Sequence, residues 1–385
     1  MNTAESPLPF TEFDRWCMRR AMSLARRGTG KTSPNPLVGA VIARNGMVLG
    51  EGWHRQYRGK HAELEALEAA AAAGHTAEGA DLYCTLEPCS FTGPEKHQPP
   101  CTTAIIQHRI RRVVIANQDP HPKVSGQGVQ TLQAAGIAVE TGLLARKGEE
   151  LNRFFFTFHR LGRPWVHLKI AQSLDGRIAA PGGDGKNRIT NEAARKLVHR
   201  LRRSFDAVLI GRGTAHIDDP ELTVRLERGR NPLRVVLDSR LSIPDSARLL
   251  ALPDREKTLI FCAAGADPRR IRRLEDRGAQ VIPVAGGPEN RGGLPLDQVL
   301  QHLGARKVLS VLVEGGAAVF SSFLREGLWD RMSVFIAPFI LGGGLNAVSG
   351  LPIPSMEEAL GFQDVEIRRI GNQILFEGAH VYRNR

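Results

Sequence analysis

A chain of 385 residues with 52 basic and 40 acidic side chains carries a formal charge of +12, and 42% of it is hydrophobic against 24% charged. That balance excludes a disordered or collagen-like chain, and at about 100 to 200 residues per domain the length predicts two to three domains. The positive excess raises nucleic acid, anionic lipid and phosphorylated small molecules as partners without choosing among them.

The N-terminal twenty residues are broken by charges every few positions, which argues against an export signal. No run of about 18 apolar residues occurs, so no membrane-spanning helix is expected. Five cysteines, Cys17, Cys84, Cys89, Cys101 and Cys262, are too few and too scattered for a disulfide scaffold. Their odd number predicts thiols or metal ligands in a reducing compartment, the cytoplasm.

In chain order, strand-like runs at 38–43, 80–86 and 112–116 alternate with helical segments at 10–27, 62–73 and 102–108. This alternation predicts helices packed on a sheet. One helical segment over 149–163 ends at Gly162-Arg163-Pro164, because proline disfavours helix in the residue before it. The reading is therefore a first domain over 1–150, a connecting segment over 151–163 and a second domain over 164–385. In the second domain, apolar runs at 165–171, 207–210, 233–237, 258–262, 280–284, 308–313 and 332–338, with a helix over 191–203 among them, predict a second α/β unit.

His61-Ala62-Glu63 opens a helix, and Pro88-Cys89 and Pro100-Cys101 follow. One imidazole and two thiolates suit zinc, and three protein ligands leave a fourth tetrahedral position for water. Glu63, two residues after the histidine, is placed to take that water's proton and return it to a leaving amine. The pattern matches the zinc-deaminase signature in its H-x-E half and its Pro-Cys start, but eleven residues (90–100) separate the two cysteines where that signature has two. Cys17, Cys84 and Cys262 read as core residues.

Together with Thr32-Ser33-Pro34-Asn35-Pro36-Leu37-Val38-Gly39, Gly52-Trp53-His54, Gly59-Lys60-His61-Ala62-Glu63 and Thr85-Leu86-Glu87-Pro88-Cys89-Ser90, this half resembles the bifunctional riboflavin-biosynthesis deaminase–reductases. The resemblance implies a cytidine-deaminase-like three-layer domain in which His61, Cys89 and Cys101 hold zinc, Glu63 is catalytic, and Asn35 and His54 contact the substrate. Lys96 is the nearest match to a basic substrate-contact residue, and His121 stands where the family usually has asparagine.

The second domain has no full dinucleotide fingerprint, since His216 occupies the third position after Gly211 and Gly213. A better candidate is the run 310–320, where a strand meets Gly315-Gly316 and then a helix, an arrangement that turns backbone N–H groups toward a phosphate. With the blocks at 169–179 and 214–225, it resembles the dihydrofolate-reductase-like half of the same family. The resemblance implies NADPH along Ala171, Thr214, Asp218, Ser239, Gly315 and Gly316, and substrate along Arg202, Leu222, Arg225 and Glu314. Asn187-Arg188 departs from the usual tryptophan of the cofactor wall.

The implied activity is deamination of a diaminopyrimidine ribotide followed by reduction of its ribosyl chain to ribityl, in a cytoplasmic homo-oligomer with a dimer favoured. The alternative is a nucleic-acid base deaminase with a basic binding module. Its weaknesses are the wide cysteine spacing and an aromatic content of 6%, since single-strand binding uses stacking platforms.

Overall fold

The computed structural model describes residues 10–91, 98–122, 124–182, 189–285 and 293–382. The chain divides into two compact units, Met1–Leu161 and Gly162–Arg385. Lys96, Asn187 and Arg188 lie outside the described residues.

In the first unit the helices are α1 (Glu12–Ala25), α2 (Ala62–Ala72), α3 (Cys101–Gln107), α4 (Gln127–Ala134), α5 (Ala145–Leu151) and α6 (Arg153–Leu161). The strands β1 (Gly39–Arg44), β2 (Met47–Trp53), β3 (Asp81–Leu86), β4 (Arg112–Asn117) and β5 (Ala138–Thr141) form a sheet in the order β2-β1-β3-β4-β5. β1 pairs antiparallel with β2 and β3, whereas β3, β4 and β5 are parallel. Successive residues of β1 feed opposite faces: Ala40 and Ile42 pack with α2 and α3, while Val41 and Ala43 pack with α1. A sheet buried on both faces reads as a continuous apolar run, which is why its inner strands were visible in the sequence.

Helix α2 lies unusually close to β2. A Cβ on Gly52 would fall 2.2 Å from the Ala62 carbonyl oxygen and one on Gly50 2.2 Å from that of Ala66, so only glycine permits the approach. The expected single helix over 149–163 is two helices that meet at Asn152, which departs from helical geometry. Its amide accepts from the Leu37 N–H at 2.7 Å and donates to the Leu37 carbonyl at 2.9 Å, a tertiary pairing that outcompetes helix continuation.

The second unit contains β6 (Trp165–Ser173), β7 (Arg177–Ala179), β8 (Ala207–Gly211), β9 (Leu233–Leu237), β10 (Thr258–Ala263), β11 (Gln280–Val284), β12 (Ser310–Gly315), β13 (Arg331–Ala337), β14 (Leu345–Asn346), β15 (Phe362–Ile370) and β16 (Gln373–His380). Nine of these form one sheet, β11-β10-β9-β8-β12-β6-β13-β16-β15, parallel as far as β13 and antiparallel beyond it, and β7 pairs with β14. Its helices are α7 (Glu192–Ser204), α8 (Arg212–Ile217), α9 (Pro268–Glu275), α10 (Leu296–Ala305) and α11 (Ala317–Glu326). α10 and α11 cover one face through Val299, Leu303, Phe320 and Phe323, and α7 covers the other through Ala194 and Val198. β12, late in the chain, inserts between β8 and β6, and open α/β sheets bind ligands at the carboxyl ends of strands where the order reverses in this way.

Candidate active sites

In the first unit the site forms where α2 and α3 begin. His61 is the N-cap of α2 in an extended conformation, and its side chain makes no capping bond. Its ring turns to two sulfurs instead, with Nδ1 3.2 Å from Cys101 Sγ and 3.5 Å from Cys89 Sγ. Cys101 is the first residue of α3, and its N–H points at Cys89 Sγ across 3.4 Å. The three ligand atoms lie within 4.8 Å of one another, a donor set and spacing that fit zinc. Glu63 is buried in the first turn of α2, and its Oε2 has no hydrogen-bond partner among the described residues. Burial pushes its carboxyl pKa up, with His61 pulling the other way. An orphaned buried oxygen costs about 1–3 kcal/mol unless a polar guest occupies the space beside it, so the pocket suits such a guest between Glu63 and the three ligands.

His54, just past β2, is buried and packs its ring edge-on to His61 with centroids 5.7 Å apart. One ring nitrogen, Nδ1, lies 2.8 Å from the Lys60 carbonyl and must donate to it, which leaves Nε2 to accept from the Asn35 amide at 3.2 Å. Burial lowers the His54 pKa, consistent with that neutral tautomer. Glu87, two residues before Cys89, accepts the backbone N–H groups of Asp119, Gly126, Gly128 and Val129 at 2.8–3.2 Å. It thereby ties the end of β3 to the segment that follows β4.

In the second unit Glu314, at the end of β12, accepts two hydrogen bonds from Arg202 of α7, at 2.6 and 2.9 Å. The third arm of Arg202 donates to the Thr223 carbonyl at 3.0 Å. Burial opposes ionisation of Glu314, but the guanidinium holds its pKa below the usual carboxylate range. Lys169, pointing from β6 into the same group of charges, makes no hydrogen bond through Nζ among the described residues. Burial lowers its pKa while Glu314 and Asp218 raise it and Arg202 adds to the lowering. Asp218 is pushed up by burial and drawn down by Lys169. At the end of β12 a Cβ on Gly315 would lie 2.8 Å from Thr214 Oγ1, and one on Gly211 would lie 2.6 Å from Val319 Cγ2. Glycine at these positions lets the chain pack closely, and the start of α11 at Gly316, with no side-chain cap, leaves backbone N–H groups that suit a dinucleotide phosphate.

Residues 164–376 match the family model of the RibD C-terminal domain, and residues 11–117 match that of the cytidine and deoxycytidylate deaminase zinc-binding region. The chain is 42% identical to the riboflavin biosynthesis protein RibD of Bacillus amyloliquefaciens, covering 97% of this chain and 100% of that one. The chain belongs to the RibD family. Escherichia coli RibD is 36% identical over 94% of this chain and 98% of its own. Among solved structures, Acinetobacter baumannii RibD superposes with a TM-score of 0.84 at 34% identity over 96% of this chain and 99% of that one. A Thermotoga maritima protein described as diaminohydroxyphosphoribosylaminopyrimidine deaminase/5-amino-6-(5-phosphoribosylamino)uracil reductase does so at 0.81 and 35% identity, covering 96% of this chain and 99% of its own. As a RibD-family protein the chain serves riboflavin biosynthesis with a zinc-dependent deaminase domain and an NADPH-dependent reductase domain of dihydrofolate-reductase-like fold. No helix among the described residues is long and apolar enough to cross a membrane.

Seen as a RibD deaminase site, His61, Cys89, Cys101, Glu63, His54 and Asn35 come together around the start of α2. In the RibD reductase half, Arg202 and Glu314 meet directly, while Arg225 gives its backbone N–H to His199 Nδ1 at 3.1 Å and pairs its side chain with Glu221. Leu222 is buried with a positive φ of 54°, and Thr214 and Asp218 begin and end one helical turn beside Gly315 and Gly316. Ala171 lies on β6 two residues beyond Lys169, and Ser239 follows β9, one strand further from the glycine cradle. Lys169 and Glu87 stood inside the recognised blocks with no role attached. A lone charge between Leu168 and Ile170 in a strand was the available signal for Lys169.

Proposed function

We propose that the first unit deaminates a diaminopyrimidine ribotide and that the second reduces the ribosyl chain of the product to ribityl, as the Thermotoga relative's description reads. The observation that carries the reading is the His61, Cys89 and Cys101 cluster with the unpartnered Glu63 oxygen beside it.

His61, Cys89 and Cys101 hold zinc, which when bound supplies water acidic enough to attack near neutral pH. Glu63 performs the proton transfers. Burial favours its neutral form, which suits a carboxyl that takes a proton from water and hands it to the departing amine. Asn35, oriented by neutral His54, presents a fixed amide to the ring or ribose.

In the second unit a bound NADPH would supply the hydride for the first sugar carbon. Thr214, Gly315 and Gly316 seat the cofactor, with Ala171, Asp218 and Ser239 along it. Lys169, held among Asp218, Glu314 and Arg202, is the group placed to give a proton to the atom attached to that carbon. Arg202 and Glu314 form a rigid wall against which the substrate lies, Leu222 packs along it, and the half-exposed Arg225 suits the substrate phosphate. We assign the work to a cytoplasmic homo-oligomer, a dimer by preference, acting on a small ribotide and not on nucleic acid; five cysteines outside any disulfide suit a reducing compartment.

The test is to supply the diaminopyrimidine ribotide to the purified protein and follow ammonia release and NADPH oxidation separately. Glu63→Ala is expected to stop ammonia release while NADPH oxidation persists on the already deaminated intermediate. Loss of both activities in a folded variant would sink the two-site reading.

A further inference from the structure

The segment that presents His61 is gripped from two sides. From one, His54 Nδ1 donates to the Lys60 carbonyl at 2.8 Å. From the other, Gln98, in the segment between the two cysteines, accepts from the His61 N–H at 3.2 Å and donates to the Gly59 carbonyl at 3.0 Å. A primary amide accepts through its oxygen and donates through its nitrogen at the same time, as these two bonds require. Three residues on, Cys101 is itself a ligand. The same short stretch of chain therefore carries one ligand and holds the backbone of another.

We infer that Gln98 is a positioning residue for the metal ligand His61, and that its bond to the His61 N–H couples the placement of Gln98, three residues before Cys101, to retention of zinc. The inference rests on the zinc reading of the first unit and not on the identity of its substrate. His61 heads α2 with no side-chain cap, and Gln98 fixes the N–H of the ligand residue itself. Groups that hold metal ligands through hydrogen bonds commonly govern affinity by about 10- to 100-fold.

The test uses the full-length zinc-loaded protein and two variants. Gln98→Met preserves length and shape but makes neither bond; Gln98→Glu keeps an acceptor for the His61 N–H and loses the donor to Gly59. Transfer of zinc to a chromogenic chelator is expected to be about 10-fold faster for Gln98→Met and close to wild type for Gln98→Glu. Thermal unfolding of the metal-free proteins is expected to coincide, with NADPH oxidation confirming the fold of the rest of the chain. Equal zinc transfer by Gln98→Met and wild type overturns the inference. So does equal acceleration by both variants, or a Gln98→Met defect in the metal-free protein as large as in the loaded one, which would mark a merely structural bond. If wild type holds zinc yet releases no ammonia from the ribotide, the substrate reading fails and the role of Gln98 stands.

Discussion

The Arg202 guanidinium grips the Glu314 carboxylate through two bonds of 2.6 and 2.9 Å, with both side chains nearly out of solvent. Two residues expected along the substrate are thus committed to each other before any ligand arrives. Because Arg202 reaches across from α7 while Glu314 ends β12, the pair fixes a helix against the strand that leads into the glycine cradle.

Breaking this pair from one side is expected to be costly. Arg202→Met leaves Glu314 buried without its cation, which destabilises by about 3–5 kcal/mol. It also frees the Thr223 carbonyl. Denaturant unfolding of the reductase unit should show the loss, and NADPH oxidation should fall with it while ammonia release continues. A variant that unfolds like wild type would mean that the pair contributes nothing net.

Lys169 is expected to behave oppositely in stability. Its ammonium is held in a place where burial disfavours the charge, and it has no hydrogen bond among the described residues to offset that cost. Lys169→Met should therefore leave thermal stability unchanged or raise it, yet lower kcat for reduction by about 10²- to 10⁴-fold if this group supplies the proton. The KM for NADPH should hardly change. A variant that reduces normally removes Lys169 from the chemistry.

The sequence disclosed those parts of the fold whose residues have one dominant physical reason to be there. Inner strands such as β1, β8 and β10 are apolar because both faces are covered. β15 stayed hidden because it is exposed along nearly its whole length and carries Asp364, Glu366, Arg368 and Arg369, so β16 beside it, and not hydrophobicity, makes it a strand. β2 stayed hidden because Gly50 and Gly52 weaken its strand signal while serving the approach of α2. In the site, His61, Glu63, Cys89 and Cys101 were legible because few other demands select those residue types at that spacing. Gln98 was not, since its role depends on a backbone placed next to it by folding.

Gly52 turns that hidden packing into a prediction. The Cβ of Gly52→Ala would meet the Ala62 carbonyl at 2.2 Å and the Ala66 nitrogen at 2.4 Å, so α2 must move away from β2. Overpacking of this kind costs about 1–3 kcal/mol. Since His61 and Glu63 flank Ala62, the same displacement should weaken zinc retention and depress ammonia release together, with NADPH oxidation as the unchanged internal control. Normal zinc content and normal deamination in Gly52→Ala would show that the site tolerates the shift.

His199 supplies a pH dependence whose direction follows from its surroundings. Burial, with Arg202 and Arg225 adding to it, lowers its pKa from 6.5 to about 4. The folded protein therefore keeps the ring neutral, and Nδ1 accepts from the Arg225 N–H. Above about pH 6.5 neither state binds the proton and the residue adds no slope. Between about 6.5 and 4 the unfolded chain takes up a proton that the folded one refuses, so stability falls as pH falls, by about 3 kcal/mol over the window. Below it both forms are protonated and the effect levels off. His199→Gln retains an acceptor but cannot titrate. The difference between wild type and this variant, followed by denaturant unfolding of the reductase unit from pH 7.5 to 4, should shift progressively in favour of the variant as pH drops, and parallel curves would show that His199 is protonated equally easily in both states.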